Sequence, residues 1–348
     1  MAEDGEWTEL YHKYSLLNFS FPIAMEHPCL GSRDPIFLVG EMPHGVKKIM
    51  NAVEFSALSS SDRQLQVWDP RMGKFQPITI DMLRDVWLMC EGKHPACKKQ
   101  QLSGECALQV NRKLTEEHFK KNAFLRMRVY LATQVLSSTM ASMIETAKES
   151  LCPKDNCSFF YGLQELCKKV DRLVDICNSK EEKHCHAIKS ASDPHIYELL
   201  DILLWFAEWQ QGLAASGLDE KQQALSFLPT PCWEDLQSLV FGLVGLSVCY
   251  LSRGLKANAG KSDAILICRR VQQDILEHHF AQLRQFTGGG TSQPNAEQCI
   301  QGDNHSTSMR IANLAMGGRN CEKLPASKGH VVSGFDQNTS VPKKQRRL

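Results

Sequence analysis

The sequence predicts a mostly helical α+β protein, and three observations carry that expectation. Near the amino terminus a short apolar run, Ile36 to Val39, ends at Glu41 and gives way to a helix pattern opened by Pro43. From about residue 80 to 285 apolar residues return at helical spacing. After Gly288-Gly289-Gly290 the chain turns polar and loses any sustained period. With 348 residues, 43% of them hydrophobic, there is material for about two domains and a sizeable core.

Taken in order, the elements start with a helix near 7–18. A strand follows at 36–40, read as buried because its apolar run is continuous. Val46, Ile49, Met50 and Val53 then repeat as one face of a helix, with Lys47 and Lys48 elsewhere on it. "LQVWDPRMGKFQPI" within 59–79 reads as an extended, turn-bearing connector. Thr115 and the acids after it signal the start of a helical stretch over 115–150. Further helices are expected at 159–179, at 195–213, around Trp233 and at 263–286. "LQSLVFGLVGLSVCYL", 236–251, is very apolar, but its 16 residues fall short of a bilayer span and it is read as a core helix. The tail beyond 287 is expected to be mostly disordered, because it cannot bury enough apolar surface to offset chain entropy.

A formal charge of +1 argues against a globally basic nucleic-acid binder. Fourteen irregularly spaced cysteines behind an acidic, polar start imply reduced intracellular thiols rather than a secreted disulfide framework. "PKKQRR" near the end has the composition of a nuclear import signal.

Several residues could carry chemistry. Glu41, at a strand end beside a helix start, is either a metal ligand or a charge favoured by the helix dipole. Asp171 and Asp175 lie four apart in a helix, where like charges are mildly unfavourable without an external partner. Asp274 and Glu277 lie three apart and either share a ligand or form a solvated face. Cys90, His94, Cys97 and Cys106 depart from common zinc spacings and read as ordinary thiols, and "HCH" at 184–186 is a weaker signal still.

Four motifs in order resemble those of P-element-type transposases, whose animal relatives carry a THAP zinc finger. They are "FLVGEMPHGVKKIMNA", "KLTEEHF" with "LRMRVYLATQVLSSTMASMI", "VDRLVDICNS", and "QQDILEHHFAQLRQFTGGGTSQPNAEQ", across about 36–298. The resemblance implies an RNase H-like domain interrupted by a large helical GTP-binding insertion. It divides the chain into a partial RNase H-like segment at 1–58, the insertion at 59–262, a returning helix at 263–286 and the tail at 287–348. Family catalysis uses two Asp and one Glu around divalent metal to transfer DNA phosphoryl groups. Glu41 and Glu277 match two of those positions and would hold magnesium, although Glu41 stands where an Asp is expected. The first Asp is expected upstream of any residue here, so the chain reads as a catalytically inactive remnant without the THAP DNA-binding domain. The alternatives are a DNA phosphotransferase completed by a partner transposase chain, and a non-enzymatic helical scaffold. GTP contacts in the family match Lys113, Arg128 (a Lys there), Val129, Asp175 and Asp274, with Asp171 in place of an Asn. No membrane partner is expected, and a nuclear location is.

Overall fold

The computed structural model describes residues 13–17, 24–28, 31–56, 58, 60–69, 71–95, 113–119, 128–151, 160–181, 185–257, 265–272 and ten positions between 295 and 308. The chain divides into two units, 1–272 and 273–348. In the second, the described residues include one helical turn at 299–304. Positions 297, 307 and 308 are helical as well, which corrects the expectation of disorder for that stretch; the tail residues outside 295–308, and most of the helix expected at 7–18, lie outside the described residues.

In the first unit, strands β1 (Ala24–His27) and β2 (Gly31–Phe37) form an antiparallel hairpin in which Met25 faces Ile36. This corrects the buried strand expected at 36–40. The strand ends at Phe37, and Ile36 and Leu38 are each 38% exposed, because a two-stranded sheet covers only one of its faces. Helix α1 (Met42–Phe55) begins with Pro43 in its first turn and buries Val46, Ile49, Met50 and Val53, as their spacing requires. Ser56 ends it, and its Oγ accepts from the Leu65 N–H at 2.9 Å.

The turn-bearing connector is a second antiparallel hairpin, β3 (Gln66–Asp69) and β4 (Lys74–Pro77). Its turn uses Gly73 at φ +60° and an Asp69 carboxylate that accepts from the Arg71 N–H. Trp68 and Phe75 pair across it edge to face, with centroids 5.3 Å apart. Helix α2 (Ile80–Cys90) follows, capped by Thr79, whose hydroxyl accepts from Met82 N–H.

The expected helical stretch over 115–150 is broken. A 3-10 turn spans Glu116–Phe119, α3 covers Val129–Val135 and α4 covers Ser138–Leu151. The break at Leu136 and Ser137 is local chemistry: Ser137 Oγ accepts from the Met140 N–H at 3.2 Å and so starts a new helix.

Helices α5 (Tyr161–Cys177), α6 (Pro194–Ala214), α7 (Glu220–Ser226) and α8 (Thr230–Ala257) complete the body. Helix α5 lies at its centre, packed on α1, α3, α4, α6 and the second hairpin. Phe206 stacks on Trp209 where α6 meets α8, Phe227 meets Trp209 and Trp233 edge to face, and Trp209 Nε1–H donates to Gln66 O at 2.6 Å.

Helix α8 is, among the described residues, long and apolar enough to span a bilayer, over Thr230–Ser252. Half of that stretch is already buried in protein, with Leu236, Leu239, Val240 and Leu243 almost wholly enclosed. It packs on α1, α6 and β2. Its Gly242 meets the backbone of Leu38 and Val39, while Gly40 meets the backbone of Asp235 and Leu239. This paired close approach fixes the path that leads into Glu41.

The last described segment of this unit departs from the helix expected at 263–286. Leu266 pairs with Ile188 in an isolated antiparallel bridge, and Cys268–Val271 is a 3-10 turn. Besides the bonds of its own turn, the segment donates to the end of α5: Cys268 N–H to Ser179 Oγ, Arg269 N–H to Ser179 O, and Gln272 Nε2–H to Cys177 O. Beyond these two hairpins and that bridge, the described residues hold no further β structure.

Candidate functional site

Glu41 is the N-cap residue of α1 and is 9% exposed. Its Oε2 meets His44 Nδ1, and its Oε1 has no hydrogen-bond partner. A buried carboxylate with an idle oxygen is an unfavourable state without a cation, so the environment suits a positive partner. The set is incomplete, however. Magnesium takes about six oxygens in octahedral geometry, and among the described residues no three His, Cys, Asp or Glu side chains converge on one point. Glu277 lies outside the described residues. The described groups do not by themselves form a magnesium site.

The candidate nucleotide residues lie on elements that pack together. Lys113 is exposed and precedes the 3-10 turn. That turn is locked to α3 by buried His118. The Thr115 N–H donates to its Nδ1 at 3.0 Å, so its Nε2 carries the proton and donates to Gln134 Oε1 at 2.7 Å. Arg128, also exposed, is the N-cap residue of α3 and donates to Tyr130 Oη, while Val129 begins the helix. Helix α3 in turn rests on α5, where Cys167 Sγ lies 3.9 Å from Val135 O.

Asp171 is half-buried on α5, whereas the Asp175 side chain, in its last turn, is 50% exposed. Asp274 lies outside the described residues. The chain nevertheless brings Gln272 to the Cys177 carbonyl, 3.1 Å away and two residues from Asp175 in sequence. Arg269 reinforces that junction by donating to Asn178 Oδ1 at 2.7 Å. Two exposed cations suit phosphate, and an accessible carboxylate suits the N–H edge of guanine.

Around Asp175 lies a polar network that sequence spacing did not reveal. Arg172 Nε donates to Glu198 Oε2 at 2.5 Å, and one of its terminal nitrogens lies 3.0 Å from His186 Nδ1. His186 Nε2 is 3.9 Å from Asp175 Oδ2. His186 Nδ1 also faces His195 Nε2 at 3.5 Å, and His195 Nδ1 bonds Asp193 Oδ1 at 2.7 Å. Asp193 caps α6 and accepts from the Lys189 and His195 N–H groups. Burial works to raise its pKa, but those bonds outweigh it and hold the carboxyl below its usual range. The Glu198 bond raises the Arg172 guanidinium's pKa. The signals in the sequence are "HCH" at 184–186, which holds His186, and "SDPH", an N-cap before Pro at a helix start.

The four cysteine and histidine positions near 90–106 also resolve in part. Cys90 is buried with Sγ 3.9 Å from Met143 O, and His94 faces Asp85; Cys97 and Cys106 lie outside the described residues. A cavity of about 530 Å³ elsewhere, lined among others by Trp233, Phe227, Gln223 and Leu16, includes none of the candidate residues.

Residues 97–191 match the family model described as the TNP-like, GTP-binding insertion domain. That span contains Lys113, Arg128, Val129, Asp171 and Asp175. The structure is also similar to that of the Drosophila P element transposase strand transfer complex, at 21% identity and a TM-score of 0.55. The likeness covers 91% of this chain and 58% of that one, so this chain spans less than two thirds of the transposase's length. No curated protein matches the chain. The chain is thus a mostly helical α+β protein similar in fold to a P element transposase, and its residues 97–191 match the model of the GTP-binding insertion domain.

Proposed function

We propose that this chain binds GTP through its insertion segment and does not catalyse DNA transposition on its own. The observation that carries the reading is the packing of the 3-10 turn on α3 and of α3 on α5, which joins the elements that hold Arg128, Val129, Asp171 and Asp175. The family match to 97–191 supplies the ligand class, and the two exposed cations supply phosphate chemistry. Lys113 and Arg128 would hold the phosphates, Val129 would pack at the ligand, and Asp175 with Asp274 would read guanine. Asp171, with a charge where an amide is expected, would weaken the pocket. In this reading the segments flanking the insertion belong to a partial RNase H-like domain.

Catalytic inactivity rests on Glu41. It is one buried carboxylate facing a histidine, and among the described residues no group of three His, Cys, Asp or Glu side chains forms around it. Only with Glu277 and further oxygen ligands could it hold magnesium. DNA, a partner transposase chain and a nuclear location belong to the same proposal, the partner being what a completed active site would require.

Titration of the full chain with GTP, read as melting temperature, tests the binding. At 100 times the dissociation constant the gain is about 2.7 kcal/mol. An unchanged melting curve at millimolar GTP overturns it. Metal-dependent DNA nicking by the purified chain, lost on Glu277→Ala, would overturn the inactivity.

A further inference from the structure

The cavity between α6, α7 and α8 includes none of the residues given a role above, and each helix lends it one stripe. Ala207, Gln211 and Ala214 of α6 stand at i, i+4 and i+7. Glu220, Gln223 and Ala224 of α7 stand at i, i+3 and i+4, and Thr230, Trp233 and Gln237 of α8 at i, i+3 and i+7. Its volume of about 530 Å³ lies within the roughly 300–1,000 Å³ of small-molecule pockets. The walls are braced from outside. Arg63 donates to the Ala224 and Phe227 carbonyls and so ties the end of α7 to the 60–65 segment. Gln66 Nε2–H donates to Ser226 Oγ at 3.2 Å. Leu16 also joins the lining, and Tyr14 Oη–H fixes its segment to α6 by donating to Asp201 Oδ1 at 2.8 Å. These bonds keep the cavity formed without a ligand, as binding pockets are.

The lining chemistry selects what enters. Trp233 and Phe227, both almost wholly buried, meet edge to face with centroids 5.6 Å apart and form an aromatic wall. The Trp233 indole N–H donates to no described group, yet it is not sealed as that of Trp87 is, so a bound acceptor can reach it. Gln223 Nε2–H donates to Leu218 O at 2.7 Å, which leaves its Oε1 as an acceptor. Exposed Glu220 is the one ionisable side chain in the described lining. An anion would meet that acid and no cation. An ammonium would give up its hydration for one carboxylate that water and salt screen. We propose that this cavity binds an uncharged aromatic amide: its ring lies against Trp233 and Phe227, its carbonyl accepts from Trp233 Nε1–H, and its N–H donates to Gln223 Oε1. A primary amide accepts and donates through neighbouring atoms, which matches a donor on α8 and an acceptor on adjoining α7. The site is independent of the nucleotide reading and contains none of the cations assigned to phosphate.

Three probes that share an indole ring and differ in charge test the site on the full chain: neutral indole-3-acetamide, anionic indole-3-acetate and cationic tryptamine. Indole ¹H–¹⁵N NMR locates the contact through the Trp233 Nε1–H signal, identified by its loss in Trp233→Phe. Calorimetric titration gives the affinities. The acetamide should shift that signal and bind with a dissociation constant of about 1 mM or below, the scale for so small a ligand. It should bind at least about tenfold tighter than either charged probe. Ala224→Trp, at an exposed position of the wall, puts a ring into the cavity and should abolish acetamide binding. Trp233→Phe keeps the aromatic wall, removes the donor and should weaken the acetamide about fivefold, the worth of one neutral hydrogen bond. This second variant decides the matter if Ala224→Trp fails to fold. An unmoved Trp233 signal at about 10 mM acetamide overturns the site, as does undiminished binding in a folded Ala224→Trp protein. Equal affinity in the wild type and Trp233→Phe overturns the assigned contact. A charged probe that binds as tightly as the acetamide overturns the choice of an uncharged ligand.

Discussion

Gly242→Ala should unfold the chain early, and the magnitude follows from where its methyl would go. A Cβ at Gly242 would lie 2.2 Å from Leu38 O, 2.9 Å from Val39 Cα and 3.0 Å from Leu38 C. All three obstacles are backbone, so no rotamer change relieves the clash; α8 or the 38–40 segment must move. Overpacking of this kind costs about 1–3 kcal/mol, and immovable backbone puts it at the upper end. Removing a mid-helix glycine returns about 1 kcal/mol of helix propensity. The net expectation is a loss of about 2 kcal/mol, or roughly 4–8 °C in melting temperature for a domain this large. Gly212→Ala in α6 is the control, since its Cβ would rest 3.6 Å from Trp68 Cβ, an ordinary contact. Propensity should dominate there and raise stability by about 0.5–1 kcal/mol. Differential scanning calorimetry of the two variants decides the matter. A Gly242→Ala protein as stable as the wild type would show that α8 does not press on the chain entering Glu41.

Asp193→Ala removes the α6 cap and should cost about 1–2 kcal/mol in a denaturant melt at pH 7. Because the folded Asp193 pKa is lowered, its contribution is present above the unfolded carboxylate value and lost as pH falls through the folded one. Asp193→Asn should therefore flatten the acid limb of a stability–pH curve below about pH 4. Native thiol labelling with mass mapping should mark exposed Cys185 well before Cys167, Cys177, Cys232 or Cys268. Burial pushes the Cys232 thiol up to about 12 and Cys268 to about 11, and raises Cys167 and Cys177 too. Asp175→Ala should relax guanine over adenine by about tenfold, whereas Lys113→Ala should weaken all triphosphates alike, both read by calorimetric titration.

What the sequence could show depended on whether an interaction was periodic or merely spatial. Helices α5, α6 and α8 repeat their apolar residues over several turns, so the expected 159–179 and 195–213 differ from Tyr161–Cys177 and Pro194–Ala214 by only one or two residues at each end. The connector with Trp68, Gly73 and Phe75 announced its turn through Asp, Pro and Gly. Where a single side chain redirected the backbone, periodicity misled. Ser137 interrupts a stretch whose apolar spacing continues across it. Around Cys268 the helical spacing of Cys268 and Val271 is real, but the Cys268 and Arg269 N–H groups donate to Ser179, some 90 residues earlier.

The same distinction governs the site. Asp171 and Asp175 could be found because they share one helix, and Lys113 and Arg128 through the family motifs that contain them. Arg172, His186, His195 and Glu198 could not. They meet only because α5 and α6 pack side by side and the 185–193 segment folds between them, and no pattern in one strand of text encodes that. Glu41 is the intermediate case. Its place before Pro43 and its i,i+3 spacing to His44 were readable, yet its burial where α8 closes over the chain at Gly40 was not. A carboxylate needed only for the helix dipole would gain most from staying in water, where its charge costs nothing to solvate. Its enclosure with an oxygen unused leaves two accounts, a charge that serves the helix start and a carboxylate that suits a cation. Glu41→Gln separates the two accounts: it should stabilise the metal-free chain if the carboxylate suits a cation, and destabilise it by up to about 1 kcal/mol if the charge serves the helix.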